Sequence, residues 1–179
     1  MRIPVFQSVM EIVEGDMLSQ NTQAVVSAVH FSMLGAKGLD SQLIRAAGHE
    51  VMEECKALGG CDFGVAKITS GGKLRAKYII HTAAPVYRGG SSGEAELLAK
   101  CYRNCLDLAV RHDVMRIAFP ALGVGANGFP VDLAAKIAVK TVNDFLHSNT
   151  QLLLVRFVLN GKEVYKSFEL LLKSEFFKR

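Results

Sequence analysis

The chain has 179 residues, 50% of them hydrophobic and 21% charged, which suits one ordinary folded domain and excludes a disordered polypeptide. Lysine and arginine number 21 against 17 acidic residues, a formal charge of +4; this permits attraction to phosphates without demanding nucleic acid. No apolar run nears the roughly 20 residues that span a bilayer, and the opening MRIPVFQSVMEIVEGD lacks the apolar stretch of a secretion signal, so a soluble intracellular chain, cytoplasmic or nuclear, with no membrane partner is expected.

The first predicted element is a strand at Met10–Asp16 that stops at Gly15. Gln23–Val29 is a short apolar strand, too continuous for a half-wet sheet. His30–Gly38 reads as a loop. Leu39–Leu58 follows as a helix, with Leu43, Ala46, Ala47 and Val51 at helical spacing and Gly48 as the point where it breaks or bends. Gly59–Gly64 is a turn. Val65–Pro85 holds two strands about Gly71 and Gly72, and Val86–Gly93 is a glycine-serine loop. Glu94–Asp113 carries an amphipathic stripe through Leu97, Leu98, Cys101, Cys105, Leu108 and Ala109. A strand at Met115–Pro120 leads into GVGANGFP, Gly123–Pro130, then a helix from Val131 to about Leu146. A strand at Leu152–Leu159 and a helix at Lys162–Phe177 complete the chain, with no repeat and no linker.

Apolar strands alternating with amphipathic helices predict an α/β fold with a mostly parallel sheet and helices on both faces. Ligands of such sheets sit outside the carboxyl ends of the strands. Three unusual segments follow strand ends: Gly15–Met17, His30–Asp40 and Gly123–Asn127. Glycine admits positive φ and close approach of another group. A strand, a bare loop and a helix start together aim several N–H groups at one place, which favours an anion, above all a phosphate. Pro130 and Asp132 suit a first helical turn. Gly35-Ala36-Lys37-Gly38 is a second loop of this kind, so a pyrophosphate clasped between the two is the functional reading and close packing alone the plain one. Neither loop ends in G-K-[ST], and no G-x-G-x-x-G follows the first strand, which disfavours a nicotinamide dinucleotide.

Cys55, Cys61, Cys101 and Cys105 form no C-x-x-C and no zinc spacing with histidine. They read as buried reduced thiols, with a reactive Cys61, after two glycines, as the alternative. No metal and no cofactor are expected.

The ordered segments VEGDM, VVSAVHFSMLGAKGLDSQLIRAAG, GGC, YIIHTAAP and FPALGVGANGFPVDLAAKIAV resemble the macro domain family, the MacroD-type branch in particular. The match runs over nearly the whole chain, which would make residues 1–179 a single macro domain. The resemblance implies a three-layer α/β/α sandwich with a mixed, mostly parallel central sheet and an ADP-ribose cleft. Asp16 would take the adenine amino group, with the Met17 amide beside it and Asn160 near the base. Ala28 would be a further ligand-binding residue, and His30 would stand by the distal ribose. Gly35, Ala36, Lys37, Gly38 and Leu39 on one side, and Gly123, Val124, Gly125, Ala126 and Asn127 on the other, would clasp the diphosphate and distal ribose. Asp40 would occupy the place of the family's catalytic or water-positioning aspartate, with His30 as a second catalytic candidate.

The departures gather in the site. Ser27 and His30 stand for the two asparagines of N-A-A-N, Ala36 and Lys37 interrupt the glycine run, Gly123-Val124 replace Ser-Thr, and Asn127 replaces an aromatic. Asn160 stands where an aromatic often stacks on adenine. Binding of ADP-ribose or an ADP-ribosylated protein is therefore the leading expectation. The alternatives are a hydrolase acting on mono-ADP-ribosyl protein or O-acetyl-ADP-ribose, and a drifted module for RNA or protein interaction.

Overall fold

The computed structural model describes residues 1–35 and 38–176. Seven strands form one sheet: β1 (Arg2–Val5), β2 (Ser8–Glu14), β3 (Ala24–Ala28), β4 (Ala66–Ser70), β5 (Tyr78–Thr82), β6 (Arg116–Phe119) and β7 (Leu154–Leu159). Their spatial order is β1-β2-β7-β6-β3-β5-β4. The inner five run parallel, whereas β1 pairs antiparallel with β2 and β4 antiparallel with β5. Five helices, α1 (Gly38–Ala47), α2 (His49–Leu58), α3 (Glu94–Arg111), α4 (Val131–Ser148) and α5 (Lys162–Phe176), cover the sheet. The fold is an α/β/α sandwich with a mixed, mostly parallel sheet.

Adjacent strand residues point to opposite faces, and here both faces are apolar. Val26, Ile80, Phe119 and Phe157 pack with α3, α4 and α5, while Val25, Ile79, Ala118 and Val158 pack with α1 and α2. The two-sided burial explains why the inner strands read as continuous apolar runs. Tyr102, Phe119, Phe157 and Phe168 form a chain of ring contacts, with centroids 5.2, 6.2 and 5.2 Å apart in that order.

Gly48 splits the helix expected at Leu39–Leu58 into α1 and α2. Its φ of +103° ends one helix, its N–H donates to Ile44 O at 3.0 Å, and Ala47 O accepts from Lys73 N at 2.9 Å. Strand β1 lies outside the elements predicted from the pattern. It has four residues, one of them Pro4, and proline is admitted at a sheet edge because no ladder donor is needed there. The opposite edge is closed differently: Ser70 N–H in β4 donates to Glu54 Oε2 at 2.9 Å. All four cysteines are buried and free. Among the described residues no helix is long and apolar enough to cross a membrane, and no group of His, Cys, Asp and Glu could hold a metal.

Candidate functional site

Strands β2, β7 and β6 are parallel neighbours, so their carboxyl ends share one edge. There a cleft of about 610 Å³ opens, within the range of roughly 300–1,000 Å³ usual for ligand pockets. Gly15, Asp16 and Met17 enter it after β2, Pro120, Ala121, Val124 and Gly125 after β6, and Asn160 after β7. The first turns of α1 add Gly38, Leu39 and Gln42, and Val158 and Val164 close the floor. A smaller hollow of about 200 Å³ is lined from α4 and α5 alone.

Asp16 is shaped by its own turn. Its Oδ1 accepts from Leu18 N at 2.9 Å and caps a short 3-10 turn, Met17–Ser19. Its carbonyl accepts from Ser19 Oγ at 2.9 Å and Gln20 Nε2 at 2.7 Å. Gln20 is tied in turn to Arg156 of β7, whose Nη1 donates to Gln20 Oε1 at 3.0 Å, while its Nε donates to Glu11 Oε2 at 2.6 Å. The acidic side chain is thus held at the cleft by a lattice of bonds to the sheet.

The loop after β6 is closed at its base. Gly123 is buried with φ +83°, and its carbonyl accepts from Phe129 N at 3.1 Å. Val124 N donates to Ala121 O at 3.3 Å and Gly128 N to Gly125 O at 3.0 Å. The result is a tight loop whose Val124 and Gly125 face the cleft. Opposite, α1 presents its N-terminal turn, where unpaired N–H groups and the helix dipole favour negative charge.

Seven of the residues singled out from sequence line this cleft together: Asp16, Met17, Gly38, Leu39, Val124, Gly125 and Asn160. The others stand elsewhere. Ala28 is half-buried at the end of β3. His30 is exposed, its ring 4.0 Å from that of Phe31 and its Nδ1 3.0 Å from Ser32 Oγ. Gly35 has φ +62° in the β3–α1 connection. Asp40 is buried; its Oδ1 accepts from Ser27 Oγ at 3.0 Å, and burial pushes its pKa up against the smaller opposing effects of Ser27 and Gly35. Gly123 lies at the loop base and Ala126 is exposed at its tip. Asn127 turns away: its Nδ2 donates to Ala84 O at 3.1 Å and its carbonyl accepts from Tyr87 N at 2.8 Å. Ala36 and Lys37 lie outside the described residues.

Six lining residues were given no ligand contact from sequence, although Gly15 lies in one of the unusual segments: Gly15, Gln42, Pro120, Ala121, Val158 and Val164. Gln42 follows Gly38 and Leu39 by about one helical turn, so helical period alone places it on their face. Gly15, Pro120 and Ala121 directly adjoin strand ends. Val164 has no local signal, because α5 must first fold back onto the sheet. Asp16 is the one ionisable side chain among the described lining residues. The amides of Gln42 and Asn160 are polar and uncharged, and the remaining walls are apolar or backbone. Such a cleft suits a ligand with one group that donates to a carboxylate and an anionic part that takes N–H donors.

The family model for the Macro domain matches residues 26–138. A Macro domain-containing protein of Methanosarcina mazei is 49% identical over 158 residues, which cover 88% of this chain and 84% of the relative. An O-acetyl-ADP-ribose deacetylase of Salmonella newport is 45% identical over 141 residues, covering 76% and 79%. An Oceanobacillus iheyensis macrodomain with ADP superposes with a TM-score of 0.93 at 34% identity, covering 97% of this chain and 95% of the other. A variant of that macrodomain with ADPR superposes at 0.94, with 34% identity and 99% of both chains covered.

Proposed function

The chain belongs to the macro domain family, and from that membership we propose that its cleft binds ADP-ribose or a related ADP-ribosyl nucleotide, with an ADP-ribosylated protein of the cytoplasm or nucleus as the natural source of the ligand. The observation that carries this reading is the meeting of three connections at one 610 Å³ cleft: the turn at Asp16, the first turn of α1 and the loop at Val124–Gly125. In this reading Asp16 accepts from the adenine amino group and Asn160 stands beside the base. The N-terminal turn of α1 and the loop backbone take the diphosphate. Backbone donors and a helix N-terminus are the groups a diphosphate requires, and a net charge of +4 does not oppose it.

Calorimetry with ADP-ribose tests the reading. Saturable binding is expected, weakened about tenfold or more by Asp16→Ala, the loss of roughly one charge-assisted hydrogen bond. No binding at millimolar ligand overturns it. AMP and ADP in the same titration separate the contributions of base and diphosphate.

A second reading is hydrolysis of an ADP-ribosyl ester, favoured by the 45% identity to the Salmonella deacetylase. Asp40 and His30 are the residues on which it would rest. Incubation with O-acetyl-ADP-ribose, followed for released acetate, decides between turnover and binding alone.

A further inference from the structure

Four large apolar side chains stand exposed along one margin of the sheet: Phe31 (56% exposed), Leu34 (65%), Phe63 (47%) and Val86 (46%). Phe31 and Leu34 follow β3, Val86 follows β5, and Phe63 precedes β4. Strand β4 runs antiparallel to β5, with Ala66 opposite Thr82, so the entry to β4 shares the carboxyl edge with the exits of β3 and β5. The segments are tied together there. Val29 N donates to Thr82 O at 3.0 Å, Cys61 N to Phe31 O at 2.7 Å and Gly64 N to Ala83 O at 3.1 Å. Phe63 and Val86 line one shallow hollow of about 210 Å³ with Pro85, Arg88 and Leu97. Arg88 is exposed and makes no ion pair among the described residues. The carboxylate at the same hollow, Glu94, is already committed: its oxygens accept from the N–H groups of Arg88, Gly90 and Ser92.

The strand order carries this margin onward from the cleft. The cleft opens over the ends of β2, β7 and β6, and β3, β5 and β4 come next in the sheet. At about 4.8 Å per strand, β5 lies roughly 10 Å beyond β6. A ligand with its base at Asp16 and its diphosphate at the first turn of α1 and Val124–Gly125 points its far end toward β3, and so toward this margin.

We propose that the margin formed by Phe31, Phe63 and Val86 is the docking surface for the polypeptide that carries the ADP-ribosyl group, and that it takes an apolar side chain and, at Arg88, an acidic one close to the modified residue. The inference rests on the binding function proposed above, which sets the direction of the ligand. Single exposed apolar residues are ordinary, whereas a row of them continuous with a ligand cleft marks a recognition surface. An unpaired guanidinium at the rim of that row selects a carboxylate.

The probe is a short peptide joined to ADP-ribose at its central residue by a linkage that water does not cleave, with leucine and aspartate beside that residue. Calorimetry compares it with free ADP-ribose on wild type, on Phe31→Ser/Phe63→Ser and on Arg88→Gln. Wild type should bind the conjugate about tenfold tighter than free ADP-ribose. The double variant should lose that advantage and keep its affinity for free ADP-ribose within about twofold. Arg88→Gln, a single surface change that reads the same margin independently, should lose about threefold for the conjugate alone. Equal affinity of wild type for both ligands overturns the docking surface and leaves the cleft reading standing, and so does an advantage that survives in the double variant. A double variant that loses free ADP-ribose equally assigns the rings to the cleft itself and likewise overturns the proposal. No binding of either ligand by wild type overturns the cleft reading and the surface with it. Sedimentation of the free protein addresses the other occupant: concentration-dependent pairing that the double variant abolishes gives the margin to a second copy and overturns the proposal.

Discussion

Phe129 lays its ring against the bare α-carbon of Gly123. A Cβ at residue 123 would stand 2.9 Å from Phe129 Cδ2, and the same two residues share a backbone hydrogen bond of 3.1 Å. The contact forms the base of the loop that brings Val124 and Gly125 to the cleft.

Gly123→Ala therefore meets two penalties, the ring contact and a φ of +83°. A loss of about 1–3 kcal/mol is expected from the left-handed backbone and the local strain. ADP-ribose affinity should fall with it, because the loop must shift to make room. Urea unfolding and calorimetry on the same variant check both. An unchanged midpoint with unchanged affinity would show that the ring yields freely.

Tyr102 supports the same loop from beneath. It is fully buried on α3, and its hydroxyl accepts from Leu122 N at 3.0 Å. Burial holds the phenol in its neutral form. Tyr102→Phe keeps the ring contacts and strands the Leu122 N–H, at a cost of about 1–3 kcal/mol for an unpaired buried donor. Urea unfolding measures it, and a loss near zero would mean that the amide finds another acceptor.

His81 makes stability depend on pH. It is fully buried in β5, with Nε2 2.8 Å from Thr69 Oγ1 and Nδ1 unpartnered among the described residues. Burial pushes its pKa down from 6.5 to about 4. Between those values the unfolded chain binds more protons than the folded one, so stability falls as the pH drops through that window. The contribution is present in full above the unfolded value and amounts to roughly 3 kcal/mol, lost by about pH 4. Asp40 acts with the opposite sign, since its raised pKa makes the folded state bind the extra proton. Urea midpoints at several pH values should slope upward across the window, and His81→Gln should flatten the slope. A slope unaffected by that variant would assign the dependence to other groups.

The cysteines should be silent in the native protein. Burial pushes every one of the four thiols up, Cys55 to about 11. Cys61 is 3% exposed and its Sγ donates to Val65 O at 3.3 Å. A disulfide reagent near pH 8 is expected to find no fast thiol before unfolding and four after it. Rapid labelling of Cys61 alone would restore the reactive alternative.

The inner sheet was legible because its chemistry is local: Val25-Val26 and Ile79-Ile80 are apolar on both sides of the strand, as a doubly covered strand must be. Gly48 likewise announced its break. β1 was illegible, since four residues including a proline carry no usable period. At the site, the convergence of three loops followed from strand ends and glycines, but the direction of single side chains did not. Asn127 turns toward Ala84, and Asp40 toward Ser27. Each is decided by a partner distant in the chain, which no local pattern contains.

The two margins of the sheet have a bearing on behaviour at high concentration. On one side proline offers no donor; on the other, a helix carboxylate already occupies an outward amide of the last strand. A neighbouring molecule seeking to extend the ladder meets an obstacle at either flank. The protein should stay clear of fibrillar self-association even when its loops are loosened by mutation, so that a weakened variant fails by unfolding rather than by templated growth.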